Sequence, residues 1–236
     1  MQKNDFHGPA TLCVAKEAGL DDDTAKAIAW ADWYTDCTRL TQVKFPYINM
    51  WLNNPGPAFH FADGDDIRQY LYLILTDPTA TPIATGIALH TLQDTYAHKG
   101  FFGYCTRKNN TQPWLQYWPH YGHTGEGHTP DNVDAIWWDG RIKKTIVNRV
   151  RFSDALYETY QILGGEYGRE AWNNNSKADA ILRDKSLDYD GRGEEWAKAA
   201  GFPGLKFKDI NKEMLAKHGP TFKVTAKRQR RFLDGA

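Results

Sequence analysis

The sequence predicts an all-α protein folded as one compact multi-helix domain over residues 1–236. Three observations carry that prediction. Apolar residues recur at helical spacing in several segments. Those segments are bracketed by residue types that start and stop helices. No stretch shows a strong period-two alternation, an internal repeat or low-complexity composition. The composition agrees, with 41% hydrophobic and 25% charged residues and a mean hydropathy of −0.64. The longest apolar stretch, Tyr70 to Leu75, is far shorter than the roughly 18 residues a membrane-spanning helix needs.

Taken in order, Gly8-Pro9 opens a first helix that closes at Gly19, with Pro at the start and Gly past the end. Asp21 to Asp23 offer N-cap oxygens for a second, whose Ala25, Ile28 and Ala29 follow helical spacing. Asn53-Asn54-Pro55-Gly56-Pro57 reads as a loop. Asp65 or Asp66 starts a helix through Tyr70, Leu71 and Ile74, which ends near Asp77-Pro78. Thr81-Pro82 and Gly100 bracket a helix of about 18 residues, ~27 Å long. Residues 101–135 read as a long irregular stretch rich in Gly, His and aromatics, of the kind that serves function. A further helix is expected from Arg141 to Gly164, loop over 173–193, and short helices over Glu194–Ala200 and Ile210–His218. The core is expected over about 5–165, with C-terminal helices and a basic tail over 166–236.

Charge is balanced at 29 basic and 29 acidic residues, yet unevenly spread. Residues 1–140 carry a net −7 and residues 141–236 a net +7, and seven of the eight His lie at or before position 128. Three Cys (Cys13, Cys37, Cys105) with no Cys-x-x-Cys pair argue against a disulfide framework and a Cys-based zinc knuckle. The start, Met1-Gln2-Lys3-Asn4-Asp5, lacks the apolar core of a signal peptide, so a cytoplasmic location is expected.

The chemistry centres on His90-x3-Asp94-x3-His98. On a helix these positions advance by about 40° each and share one stripe. Leu89, Leu92 and Ala97 flank it with apolar side chains. Ionisable groups on such a stripe must be paired or must bind a metal, and imidazole and carboxylate are preferred zinc ligands. Asp32 and Asp36 continue the inward line of Ile28 at i+4 steps. His7 precedes the first helix, His60 follows the Pro/Gly loop, and His120, His123 and His128 cluster before Asp131. Such a set exceeds one tetrahedral site and suits two or three metals.

Leu89-His90-Thr91-Leu92-Gln93-Asp94, followed by His98 and Phe101, resembles the core helix motif of the zinc-dependent phospholipase C and S1/P1 nuclease superfamily. The likeness is strongest to its uncharacterised bacterial branch, which begins with an Asp-Phe-His-like segment (here Asp5-Phe6-His7) and carries a Gly-His…Pro-Asp segment (here Gly127 to Asp131). The resemblance implies an all-α fold and a cluster of two or three zinc ions (Zn2+). It implies the ordered ligands His7, Asp36, His60, His90, Asp94, His98, His128 and Asp131. Asp32, in Trp30-Ala31-Asp32, fits the motif as well as Asp36 does, His123 competes with His128, and Asp5 is a candidate substitute for an amine ligand.

The resulting expectation is a zinc-dependent hydrolase of a phosphoric ester, a phosphodiesterase of phospholipase C or nuclease type. It would use a metal-bridging hydroxide that Asp36 or Asp94 orients or deprotonates, and nucleic acid is one possible substrate. Arg39 is a candidate for contacting the substrate phosphate, or equally an i,i+3 partner of Asp36. Two alternatives stand beside it. One is a metal-dependent enzyme of another reaction class acting on a small metabolite. The other is a nucleic-acid-binding module using Arg141, Lys143, Lys144, Arg149, Arg151 and the 227–231 run, whose bland counterpart is a solvated helix face with a frayed tail.

Overall fold

The computed structural model describes residues 6–41, 59–61, 65–103, 105–112 and 120–233. It is mostly helical. Phe6–Ala10 forms a kinked turn that leads directly into α1 (Thr11–Glu17), and Gly19 ends it at φ +87°. Helix α2 (Asp22–Cys37) starts where Asp21 accepts from the Thr24 N–H. Helix α3 covers Asp65–Leu75. Helix α4 (Pro82–Ala97) begins with Thr81 capping the Ala84 N–H and Pro82 in its first turn. It ends one turn short of the expected Gly100.

Helix α4 is the spine of the molecule, packed by α2, α3, α5 and α9. Its residues are buried on every side rather than along one stripe, as befits a core helix. The closest approach is to α2. A Cβ at Gly86 would lie 2.3 Å from the Ile28 carbonyl and 2.7 Å from the Ala31 Cβ, so only glycine lets the two backbones meet here. That approach brings the Asp32/Asp36 face of α2 against the His90/Asp94 face of α4.

The described residues of the 101–135 stretch are largely irregular, as expected. It contains a two-residue antiparallel pair, β1 (Cys105–Thr106) with β2 (His120–Tyr121), and short 3-10 turns at Thr124–Glu126 and Thr129–Asp131. Of its aromatics, Tyr104, Trp114, Tyr117 and Trp118 lie outside the described residues.

Three elements differ from the sequence reading. Residues 141–147 are not helix. Strands β3 (Ile136–Asp139) and β4 (Lys144–Val147) form an antiparallel hairpin in which Trp137 pairs with Ile146. Both side chains turn inward onto Phe101, while Ile136, Trp138 and Val147 face out. The i,i+4 spacing of Ile142 and Ile146 looked helical, but Ile142 sits exposed in the turn and the β-branched run Thr-Ile-Val suits a strand. Helix α5 (Asn148–Ile162) starts only after it.

The polar stretch 173–193 is also largely helical, with α6 (Arg169–Asn175), α7 (Lys177–Arg183) and the start of α8 (Tyr189–Ala199). Ser176 and Asp188 cap the latter two, and the buried Trp172, Ala178, Leu182 and Trp196 hold them to the core. Sparse anchors among polar residues hid the period. Finally, the basic run is no frayed tail. Helix α9 runs from Phe207 to Leu233 through Pro220 and packs on α2 and α4. Phe222, Ala226 and Gln229 are buried on one face, and Gln229 donates to the Ala84 carbonyl of α4 at 2.9 Å. The basic side chains Lys227, Arg228 and Arg231 occupy the solvent side.

Candidate metal centre

Five imidazoles and four carboxylates meet between α2, α4 and the loops beside them. Helix α4 supplies His90 and Asp94 on successive turns. His98 caps its end and keeps the helical spacing through its N–H to the Asp94 carbonyl (2.8 Å). Helix α2 supplies Asp32 and Asp36. The kinked turn before α1 supplies His7, the 59–61 segment His60, and the loops after β2 His123 and Asp131.

Asp94 lies at the centre. Its Oδ1 is 3.1 Å from His7 Nε2. Its Oδ2 is 2.9 Å from His60 Nδ1 and 3.6 Å from both His90 Nε2 and His98 Nδ1. His90 Nε2 and His60 Nδ1 face each other at 3.2 Å. Asp36 Oδ1 completes this side, 3.7 Å from His60 Nδ1 and 3.8 Å from His90 Nε2. Further out, Asp131 receives His98 Nε2 at 2.8 Å and lies 3.4 Å from His123 Nε2.

The rings are held from behind. His7 Nδ1 donates to Asp32 Oδ1 (2.9 Å) and to Gln93 Oε1 (3.0 Å). His90 Nδ1 meets the same Asp32 oxygen at 3.2 Å. His98 Nδ1 donates to the His60 carbonyl and His123 Nδ1 to the Gly127 carbonyl. Asp32 is itself fixed by the Thr11 hydroxyl, and Gln93 donates to Thr11 and Thr159. Four histidines thus have Nδ1 engaged with an acceptor, while their Nε2 atoms converge on Asp36, Asp94 and Asp131. Such outer partners orient metal-ligating imidazoles and fix their tautomer.

Burial and charge pull these groups in opposite directions. Burial alone disfavours the His7 imidazolium, but the Asp32 and Asp94 carboxylates outweigh it and raise His7 to about 10. Burial penalises the Asp94 and Asp131 carboxylates too, yet nearby positive charge and the hydrogen bonds of the imidazoles hold both well below the usual carboxylate range. His90 is pushed down by burial and then by the His7 charge. His123 falls to about 4, mainly through burial. Imidazole nitrogens and carboxylate oxygens are thus brought together at close range, a donor set that a cation satisfies.

The donor set fits such a cation. His7, Asp36 and His90, then His60, His90 and Asp94, then His98, His123 and Asp131 each offer donor atoms within 4.8 Å of one another. Zinc bonds of about 2.0–2.1 Å imply tetrahedral edges of about 3.3 Å, close to the contacts above.

Of the residues singled out in the sequence, His7, Asp36, His60, His90, Asp94, His98 and Asp131 lie in these groups. His128 does not. Its side chain is 94% exposed at the flank of the Thr129–Asp131 turn, while His123 stands beside Asp131 in its place. Asp32 sits behind the rings of His7 and His90, and Asp36 lies on the side their Nε2 atoms face. Arg39 is exposed, two residues past the end of α2, so it shares no helical face with Asp36. Asp5 and the His120 side chain fall outside the described residues. Gln93, Thr11 and Thr159 went unread in the sequence. The only signal was an amide beside Asp94 on a helix with no solvent face.

A family model matches residues 62–231, more than half of the chain. The chain belongs to the family of unknown function DUF6765. The DUF6765 match includes α3, the whole of α4 and the loops that carry His123 and Asp131. His7, Asp32, Asp36 and His60 lie before it. No curated protein and no solved structure matches the chain. Among the described residues, no helix is long and apolar enough to cross a membrane.

Proposed function

We propose that this protein is a metal-dependent hydrolase of a phosphoric ester, built on two or three zinc ions, of the phospholipase C and P1 nuclease type. One observation carries the reading: four imidazoles are pinned at Nδ1 from outside and aim Nε2 at a shared set of carboxylates, the buried Asp94 with the partly buried Asp36 and Asp131. A structural core has no use for so many ionisable groups converging on one point, since each costs desolvation free energy.

His7, Asp36 and His90 would hold one ion, His60, His90 and Asp94 a second, and His98, His123 and Asp131 a third or the outer member of a pair. When bound, such ions supply Lewis-acid stabilisation and an activated water for in-line displacement at phosphorus. The chain does the rest. Asp94 presents its two oxygens to opposite sets of histidines and so ties the groups together. The Asp36 side chain is 19% exposed while that of Asp94 is 2% exposed, so of these two carboxylates Asp36 is the one open to an entering water and placed to take its proton. Phe61 stacks on His98 at 4.9 Å, and Phe101 meets His123 at 5.8 Å.

The test is metal content by plasma mass spectrometry, followed by turnover of bis(p-nitrophenyl) phosphate. Two or three zinc per chain, with turnover lost to a chelator and restored by zinc, supports the reading. Protein that takes up no zinc overturns it. Protein that takes up metal but cleaves no phosphodiester keeps the centre and overturns the reaction.

A further inference from the structure

The β3–β4 hairpin presents an exposed apolar face. Ile136 is 69% exposed, Trp138 47%, Ile142 53% and Val147 37%. With Val150, at the start of α5, they make up five of the ten large exposed hydrophobic side chains among the described residues. Register puts Ile136 directly opposite Val147, and strand alternation puts Trp138 on the same face. An apolar concentration of this kind marks a contact surface rather than chance exposure.

The exposed charge at its turn is basic. Lys143 and Lys144 are exposed at the turn. Arg107 and Lys108 are exposed on a 3-10 turn (Arg107–Asn109), and two residues beyond it the Thr111 carbonyl accepts from the Gly140 N–H of the hairpin (2.8 Å). Of the nearby acids, Asp139 is buried and held by Arg141, Asp134 is paired with Arg149 and Arg192, and Glu126 accepts from the Thr111 hydroxyl.

We infer that this hairpin face docks on an anionic lipid surface. Trp and Ile enter the boundary between headgroups and acyl chains, while flexible lysines keep their ammonium groups at headgroup level. Each such cation near an anionic surface adds attraction that salt screens. A second copy of the chain fits less well, because a two-fold contact through this face would set lysines against lysines. A protein partner fits less well too, since lysine is depleted in interface cores. The inner face of the same hairpin reaches the candidate centre. Trp137 stacks on Phe101 at 6.2 Å, and Phe101 lies against His123. The docked surface therefore lies two ring layers from the Asp131 group.

The experiment is co-sedimentation of the full chain with vesicles of phosphatidylcholine alone and of phosphatidylcholine mixed with phosphatidylglycerol. The protein is expected to partition onto the mixed vesicles and to be released by high salt. Trp138→Ser with Ile142→Ser should weaken partition at least about tenfold, and Lys143→Gln with Lys144→Gln should weaken it on mixed vesicles alone. Both pairs lie outside the core, so an unchanged melting temperature certifies the fold. Absence of binding to either vesicle overturns the inference. So does equal binding by wild type and the Trp138/Ile142 variant, or a dimer in sedimentation velocity that this variant abolishes. The readout needs neither metal nor turnover, so its failure is separate from failure of the hydrolase reading.

Discussion

Asp94→Asn is the sharpest perturbation of the candidate centre. Asn keeps the shape of the side chain and removes its charge. In the structure the carboxylate meets His7, His60, His90 and His98 between 2.9 and 3.6 Å. If each ion draws on three or four ligands, a structural-zinc binding free energy of about 10–16 kcal/mol corresponds to roughly 3–4 kcal/mol per ligand. Losing the charge of one shared ligand then lowers affinity about 10²–10³-fold at each ion Asp94 serves. The metal-free protein suffers as well, because a buried imidazolium at His7 loses one of its two carboxylates, at a cost of about 3–5 kcal/mol. Chelator competition with zinc reads the first effect, and thermal melting in EDTA reads the second. A variant that binds its full complement of zinc with unchanged affinity would refute the central role of Asp94.

Three other outcomes follow from the same geometry. Asp32→Asn should leave the number of bound ions unchanged but weaken zinc about 10–100-fold, because Asp32 orients two rings from behind rather than binding; loss of a whole ion would make Asp32 a ligand instead. His123→Ala should lower zinc content or affinity while His128→Ala leaves both unaltered, since His123 faces Asp131 and His128 faces solvent; the reverse result would restore His128. Metal-free protein should be most stable near pH 6.5. His7, raised to about 10, contributes stability that is whole below 6.5 and is lost as pH rises toward 10. His123, lowered to about 4, makes stability fall as pH drops from 6.5 toward 4. Each group contributes a slope of at most about 1.4 kcal/mol per pH unit. Melting temperatures in EDTA that rise steadily from pH 6.5 to 9 would contradict this assignment.

The limits of sequence reading show at particular residues. The His90, Asp94 and His98 stripe was legible because a helix repeats with a known period and its start was spelled out by Thr81-Pro82. The hairpin at 136–147 was not, because Ile142 and Ile146 satisfy a helical spacing as well as a strand does. Helices α6 and α7 were missed because single buried residues such as Trp172 and Leu182 anchor them amid polar neighbours.

By itself the sequence determined the helical architecture, the axis of the candidate centre on α4, and the ionisable residues available to it. Those follow from local propensity and from spacing along one element. Only the tertiary structure shows Asp36 rather than Asp32 on the side the Nε2 atoms face, and His123 rather than His128 beside Asp131. Each pair offers the same chemistry a few residues apart. The choice depends on how α2 settles against α4 at Gly86, and on which way an irregular loop turns its side chains. Those are properties of packing between distant segments, which no local pattern records.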